Sequence, residues 1–441
     1  MTQQGTSTIC HEDRVAEGAY RKIGWRILPF LLLCYVLAFL DRINISFAQE
    51  SLQKDLKLSV TAYGVGAGIF FLGYVLCEVP SNLLLTRIGM RKTVSRIMIL
   101  WGIASTSMML INGEKSFYLT RVLLGVFEAG FAPAMFYYCS QWFPRQRIAT
   151  ALAVLGMTGP IAGVMGAPTS AALITHMNGV AGLAGWRWLF LVEGLPSVLV
   201  GVLAWFIIVD KPNQARWLTP AEKAAVEQIM KHDRQSYQES ARTSLSSAAK
   251  DSRLYLLILG YFCFIAGMYL PHYWLPRIVQ QAGFSGMSVG WLVAVPSLGM
   301  LVTIIPFARH SDRLRERRWH TAVPMAISAC LLCLVTLAVS GIIALPFGVF
   351  YGVLTAALVS MYLAYVVFWA IPRELFASGP IAAGGIALIN SLGLCGGFLS
   401  PMVVGWLNQT TGNMAMAFLL FTVTVAVGAI AFALIRPSGD T

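Results

Sequence analysis

The chain carries little charge. Asp, Glu, Lys and Arg make up only 12% of its 441 residues, whereas 57% are hydrophobic and the mean hydropathy is +0.68. A soluble domain carries about a quarter charged residues, so this composition excludes an ordinary soluble protein. It indicates an integral membrane protein.

Histidine and polar-segment cysteine are scarce as well. None of the six His falls mid-membrane beside an acid in the apolar segments, so neither a metal site nor a Ser-His pair can be built there. The eight Cys lie mostly in apolar runs, where they predict packing rather than metal or redox chemistry. We therefore expect no enzyme, no cofactor and no metal.

Long apolar segments are what the chain has in abundance. A window of about 20 residues, the length that crosses a bilayer as a helix, finds twelve of them. Residues 1–23 are polar and lack a signal-peptide pattern, so the first apolar segment would serve as the targeting signal. The sequence predicts an all-α membrane protein with spans at 24–47, 60–85, 94–112, 116–139, 148–175, 186–209, 253–278, 287–308, 321–340, 343–371, 381–407 and 414–435.

Basic residues are distributed unevenly between the loops. If the N-terminus is inside, 25 of the 32 Lys and Arg fall in cytoplasmic segments and five fall on the opposite side. This asymmetry follows the positive-inside rule and predicts that both termini are cytoplasmic. It also accounts for the net charge of +12 without a nucleic-acid partner.

One long polar segment, 210–252, divides the spans into two sets of six. Within it Thr219, Pro220 and Glu222 form a capping-box pattern that predicts a short helix at roughly 220–234. The predicted domains are a cytoplasmic tail (1–23), an N-terminal six-helix bundle (24–209), a cytoplasmic linker (210–252), a C-terminal six-helix bundle (253–435) and a second cytoplasmic tail (436–441).

A weak internal repeat relates the two halves. TRIGMRK after the second span and DRLRERR after the eighth are 226 residues apart and occupy the same loop of each half. Two unrelated basic loops are the alternative interpretation. Parallel six-helix repeats that bind substrate at their interface are a known transporter plan. We expect these loops to act in gating through Arg87, Arg91, Lys92, Asp312 and Arg313.

Four charges are predicted to lie inside the membrane. Asp41 and Arg42 are near the end of the first span, and Arg121 and Glu128 lie two turns apart on one face of the fourth. A charge at mid-membrane is costly unless it faces a partner or water. Counting from the span ends brings Arg121 to the depth of Asp41, so we expect the four to line one polar cavity. A helix that ends at Leu40 and a purely structural ion-pair network are the alternatives.

The second half has no ionisable residue at the positions related by the repeat. It offers neutral and aromatic groups instead, among them Trp369 and Asn390, which predict hydrogen bonding and stacking rather than protonation. We expect two further acids, Glu78 and Glu193, to have structural roles. The alternative is that either one pairs with loop arginines in a cytoplasmic gate.

A set of short motifs in both halves covers nearly the whole chain. They are LDRIN (40–44), EVPSN (78–82), RIGMRK (87–92), Arg121 with EAGF (128–131), WFP (142–144), GWRWLF (185–190) with Glu193, SDR (311–313), ERRWH (316–320), INS (389–391) and GGF (396–398). In these motifs the chain resembles the major facilitator superfamily, and within it the anion:cation symporter family.

The resemblance implies alternating access and proton-coupled uptake of a small organic anion. By position, it implies that Asp41 and Glu128 carry protons and that Arg42 binds the substrate carboxylate. Arg121 would then help to set Glu128. On these roles, we expect Arg121 to support the charge of Glu128 and Arg42 to support that of Asp41.

Further positions follow from the same resemblance. Tyr74 and Asn390 match substrate contacts of relatives. Thr86 replaces the acid of the superfamily's loop motif, so gate locking in the first half must use other contacts. Leu394 and Cys395 remove a polar group near the site, which slightly favours an aromatic or less hydroxylated carboxylate over a sugar acid.

Two other functions fit parts of the sequence. A proton-driven drug exporter would carry a glycine motif like that at 156–163, but Val164 breaks it and cation export needs neither Arg42 nor Arg121. A transporter-like sensor would use the basic linker to bind a partner. We expect a monomer in a bacterial cytoplasmic membrane, with the anion, protons and lipid as its partners.

Overall fold

The computed structural model describes residues 3–239, 251–375 and 380–435, and within these ranges its regular secondary structure is helical throughout. Twelve helical stretches are long and apolar enough to cross a membrane. The all-α fold with twelve spans is therefore confirmed. The spans are Arg14–Asp55, Val60–Ile88, Met90–Leu110, Glu114–Trp142, Thr150–His176, Gly185–Ile207, Ser252–Gln281, Met287–Leu314, Arg318–Val339, Phe347–Pro372, Leu388–Thr411 and Ala415–Ala433.

Several spans contain a break, so the described residues form more helices than spans. The α-helices are α1 (Gln3–Ile43), α2 (Ile45–Asp55), α3 (Val60–Ile88), α4 (Met90–Ser107), α5 (Glu114–Glu128), α6 (Phe131–Trp142), α7 (Arg145–Gly156), α8 (Thr158–His176), α9 (Gly185–Ile207), α10 (Pro220–Glu239), α11 (Ser252–Gln281), α12 (Met287–Leu314), α13 (Arg318–Val339), α14 (Phe347–Phe368), α15 (Ala370–Leu375), α16 (Pro380–Thr411) and α17 (Ala415–Ala433).

Two of the breaks directly follow the predicted membrane charges. Helix α1 continues through Asp41 and Arg42 to Ile43 and breaks at Asn44, so the alternative of a helix ending at Leu40 is wrong. The fourth span breaks after Glu128, where Gly130 adopts a left-handed φ of 84°. A side chain is excluded there because a Cβ at Gly130 would lie 2.7 Å from the Ser81 hydroxyl oxygen.

The two halves pack through α3 with α16 and through α8 with α12. We call the face at which α1 begins the tail face and the opposite one the far face. Near the far face the helices touch closely. A Cβ at Gly64 would lie 2.4 Å from the carbonyl oxygen of Pro401, and one at Gly290 would lie 2.9 Å from that of Ala167. Small residues permit this approach, so the two halves contact each other closely near the far face.

The linker helix α10 is capped as predicted. The Thr219 amide donates to Glu222 at 2.9 Å, and the Glu222 amide donates to the Thr219 hydroxyl at 3.3 Å. Glu222 also accepts from Lys22 of α1 at 2.6 Å, which lowers the pKa of Glu222. Residues 240–250 of the predicted linker and the tail 436–441 lie outside the described residues, and the domain boundaries stay a prediction.

Candidate functional site

The four membrane charges are buried within the first half. Asp41, Arg121 and Glu128 each expose 1% of their surface, and Arg42 exposes 9%. Arg42 forms an ion pair with Glu128 through Nη2, and its Nη1 donates to the Tyr269 hydroxyl of α11 at 2.9 Å. One guanidinium therefore joins a carboxylate of the first half to a phenol of the second.

Aromatic rings surround this guanidinium. They come from the first two spans and provide an apolar but polarisable wall that attracts a cation. The ring centroids lie 5.0 to 5.9 Å from the Arg42 Cζ atom and belong to Phe39, Phe70, Phe71 and Tyr74. Tyr74 thus lies at Arg42.

Arg121 acts on Glu128 through its charge and not through a hydrogen bond. Its Nε donates to the Gly66 carbonyl at 3.1 Å and its Nη2 donates to the Ala67 carbonyl at 3.2 Å, yet its charge is close enough to act on Glu128, as expected. The expected support of Asp41 by Arg42 is wrong, because Arg42 pairs with Glu128. That carboxylate lies at the end of α5, directly before the break.

Asp41 is held by neutral donors instead. It accepts hydrogen bonds from Trp101 Nε1 at 2.9 Å, Ser105 Oγ at 2.5 Å and Ser197 Oγ at 2.6 Å. The sequence analysis missed these three residues because a single Ser or Trp in an apolar helix gives no signal of its partner. Although Asp41 and Arg42 are adjacent in the chain, their side chains serve different networks.

Glu193 is a further buried acid, to which the sequence analysis assigned a structural role. It exposes 5% of its surface, and its Oε1 accepts from the Ser170 hydroxyl at 2.7 Å. In the part of the chain that the structure describes, its Oε2 has no hydrogen-bond partner. The alternative of a partnership with loop arginines finds no contact among the described residues.

Asn390 and Trp369 lie apart from the Arg42–Glu128 pair in their contacts. Asn390 Nδ2 donates to Glu78 Oε1 at 2.7 Å, and the Ser391 hydroxyl approaches Glu78 Oε2 at 3.4 Å. The Trp369 ring packs edge-on against the Tyr261 ring at 5.0 Å. Glu78 is four residues from Tyr74 on α3, so Asn390 lies one turn from the Tyr74 position.

The predicted gating loops show two kinds of contact. The Arg91 amide donates to Asp210 at 2.9 Å, and its Nε donates to the Ile208 carbonyl at 3.2 Å, so Asp210 provides an acid that the loop itself lacks. In the second half, Asp312 pairs with Arg317 at 2.7 Å. The remaining predicted gating residues are exposed: Arg87, Lys92 and Arg313.

A bundle of twelve membrane helices with charges buried in its interior defines a membrane transporter rather than an enzyme. The chain belongs to the Major Facilitator Superfamily, whose family model matches residues 31–379. The predicted resemblance to this superfamily is confirmed.

Named relatives span most of the chain. It is 43% identical over 393 residues to a protein of Agrobacterium vitis named as a tartrate transporter, covering 89% of this chain and 86% of that one. It is 36% identical over 411 residues to a quinolone resistance transporter of Acinetobacter baumannii, covering 93% of each. The inward-open structure of the xylose transporter XylE from E. coli has the same fold, with a TM-score of 0.74, 14% identity and coverage of 95% and 98%.

Proposed function

We propose that the protein is a proton-coupled importer of a small organic anion that works by alternating access in a bacterial cytoplasmic membrane. The observation that carries this proposal is the buried Arg42–Glu128 pair. Among the described residues, Arg42 Nε and Glu128 Oε2 have no hydrogen-bond partner, so the guanidinium fork holds one carboxylate oxygen and one phenol. A carboxylate substrate would fill that fork with two parallel bonds.

Proton coupling follows from competition for this guanidinium. An ionised Glu128 occupies Arg42, whereas a protonated Glu128 loses most of its attraction for it. A proton on Glu128 therefore frees Arg42 for the substrate, and by linkage the substrate favours protonation by the same factor. Asp41 is the second carboxylate that we assign to proton transfer. Arg121 contributes a fixed positive charge, since its Nε and Nη2 are held by backbone carbonyls.

The packing between the halves supports alternating access. The close contacts of α3 with α16 and of α8 with α12 lie near the far face, and glycines occupy the points of closest approach. Such surfaces permit rocking of one half against the other. On the tail face, we assign gating to the two basic loops and closure between the halves to the Glu78–Asn390 hydrogen bond.

The substrate class rests on the arginines and on the relatives. An anion with at least one carboxylate fits Arg42, and the relative named as a tartrate transporter supports this class. The aromatic wall around Arg42 and the absence of a polar side chain at Leu394 favour a partly aromatic or weakly hydroxylated acid.

A second candidate is export of an aromatic drug. The quinolone resistance transporter favours it, because quinolones are themselves aromatic carboxylic acids that Arg42 would also bind. Direction of transport separates the two functions. The assay uses proteoliposomes in which the predicted outer side of the protein faces an acidic external solution. An importer accumulates its substrate inside these vesicles, whereas an exporter would expel it under the same gradient.

Purified full-length protein tests the proposal. Thermal-shift measurements with L-tartrate, benzoate, gluconate and a fluoroquinolone would identify ligands, because only a ligand of the folded state raises the melting temperature. The acid with the largest shift is then used for counterflow and for gradient-driven uptake. Accumulation that depends on sodium and survives a protonophore would contradict the proposal.

A further inference from the structure

A second pair of buried carboxylates lies apart from the Arg42–Glu128 pair. Asp41 on α1 and Glu193 on α9 are both buried, and Glu193 is close enough to Asp41 to experience its charge. Ser197, one turn after Glu193 and on the same face of α9, donates to Asp41 at 2.6 Å. The two acids therefore share one polar compartment between α1, α4, α8 and α9.

Only neutral donors contact this compartment in the described structure. Asp41 accepts from an indole and two hydroxyls, and Glu193 accepts from the single hydroxyl of Ser170. The two buried arginines are engaged elsewhere, Arg42 by Glu128 and Tyr269, and Arg121 by backbone carbonyls. In the described structure no cation neutralises either acid.

Of the neighbouring charges on the packed elements, Glu128 of α5 is close enough to act on Asp41, and its negative charge adds to the repulsion there. The other charges lie near the far face. On α2, Asp55 accepts from the Trp186 indole at 2.7 Å, near the far face. On α9 itself, Arg187 donates to the Met109 and Ile111 carbonyls at the same level. The described contacts from α4 and α8 are uncharged, made by Trp101, Ser105 and Ser170.

A buried amide beside Glu193 is a further polar group of this compartment. Asn44, at the break between α1 and α2, is 1% exposed, and its side chain lies within interaction range of the Glu193 carboxylate without forming a well-aligned hydrogen bond among the described residues. Its amide can donate to an ionised carboxylate or accept from a protonated one. It therefore suits a group that changes protonation.

We propose that Asp41 and Glu193 form a proton-binding site separate from Glu128. Two ionised carboxylates in a buried compartment without a cation repel each other and are poorly solvated, so a bound proton relieves both costs. The proton moves onto a carboxylate oxygen and no bond other than O–H forms or breaks. Because the site adjoins the break at Asn44, its occupancy would bias how α1 bends. Its part in transport rests on the proposed function.

The site can be tested without any substrate. Infrared difference spectra of the full-length protein in lipid, recorded as pH is varied, show the C=O stretch of protonated carboxyls. We expect a titrating component that is roughly halved in Glu193→Gln and in Asp41→Asn, with the remaining acid titrating at a different midpoint because coupled sites share macroscopic values. Glu227→Gln, on the exposed side of α10, is the matched control.

Three outcomes would overturn the site. They are a titrating band unchanged by Glu193→Gln, a Glu193 band that is present at every pH, and an Asp41 midpoint that is unaffected by Glu193→Gln. The first two make Glu193 a structural acid, and the third separates the two groups. None of these three measurements uses the anion. They therefore test the proton-binding site independently of the proposed transport function.

A transport measurement then assigns the role of the site. In pyranine-loaded proteoliposomes with L-tartrate, or with the acid selected by thermal shift, Glu193→Gln should lower the protons moved per anion while counterflow continues. An unchanged proton-to-anion ratio would remove Glu193 from the transported set, even if the spectra show that it binds a proton.

Discussion

The two halves of the molecule place their polar groups differently. In the first half, four charges lie within the membrane, together with Glu78 and Glu193. The repeat-related positions of the second half are occupied by Gly267, Met268, Phe347 and Leu354. In place of charges, the second half stacks aromatic rings, with Tyr261 on Phe368 at 5.0 Å and Phe264 on Tyr365 at 4.9 Å.

Two hydrogen bonds between the halves join a charged residue of the first half to a neutral residue of the second. Arg42 of the first half donates to the neutral Tyr269, and Glu78 of the first half accepts from the neutral Asn390. In both, the partner from the second half is a neutral group, a phenol or an amide. Protonation of acids in the first half can therefore change the hydrogen bonds between the halves, while the second half supplies the same neutral partners throughout.

The largest expected effect comes from the residue that joins the halves. Arg42→Lys keeps the charge but loses the planar guanidinium fork. A lysine ammonium group does not replace that fork at a two-point contact. We expect anion binding to weaken by about 10- to 100-fold, since a charge-assisted hydrogen bond contributes about 1.5–3 kcal/mol. Isothermal titration with the acid selected by thermal shift measures this, with Arg216→Lys in the exposed linker as the control.

Unchanged affinity in Arg42→Lys would show that charge without geometry suffices, and Arg42 would not be the carboxylate ligand. A variant that fails to fold is recognised by its melting temperature in the absence of anion. Normal yield with weak binding is the expected combination.

The second effect concerns coupling rather than binding. Glu128→Gln imitates the protonated acid and leaves Arg42 free, so the variant should bind anion at least as tightly as the parent. It should exchange anion in counterflow and lose accumulation driven by a pH gradient. If Glu128→Gln accumulates anion like the parent, Glu128 does not carry the coupled proton.

The parent and Glu128→Gln should also differ in their pH dependence of binding. In the parent, binding of the anion takes up a proton, so affinity should fall as pH rises. In the variant, the Glu128 part of this dependence should disappear. Equal slopes in the two proteins would move the coupling to another group.

The sequence predicted the long-range plan of the molecule better than its local contacts. The twelve spans follow from apolar length, a property of each segment alone. The meeting of Arg42 with Glu128 was anticipated only as a shared cavity, because pairing depends on where a helix breaks. The left-handed turn at Gly130 marks where the helix breaks. The sequence does not reveal this break, because glycine is common in membrane helices and most glycines there do not interrupt the helix.

The neutral donors to Asp41 illustrate the same limit. Ser105 and Ser197 lie in different spans, and their hydroxyls are common in apolar helices, where they bond to the preceding turn. Only tertiary packing of α4 and α9 against α1 brings them to one carboxylate. The capping box at Thr219, in contrast, was predictable because both of its partners lie within one turn of chain.

A smaller effect should follow from separating the halves at the far face. In Gly64→Ala the added Cβ would meet the Pro401 carbonyl oxygen at 2.4 Å, so α3 and α16 must move apart. We expect faster hydrogen exchange at the far-face ends of both helices and a several-fold lower transport rate. Gly113→Ala is the matched control, since nothing lies within 4 Å of a Cβ there. Unchanged exchange would mean that this contact does not hold the far face closed.

The smallest effect should come from the linker, which is bound to the first half through Lys22 and Glu222. The Lys22 hydrogen bond lowers the pKa of Glu222, so the contact stabilises α10 above the ordinary glutamate pKa and is lost as pH falls through the lowered value. Because Lys22 is half exposed, the contribution should be below about 1 kcal/mol.

Glu222→Gln should therefore speed hydrogen exchange of α10 modestly at neutral pH. The difference from the parent should vanish at a pH below the lowered pKa, where Glu222 is protonated in both the folded and the unfolded chain. A difference that persists in acid would assign the effect to the capping bonds with Thr219, which Gln keeps only in part, and not to the ion pair that ties the linker to the first half.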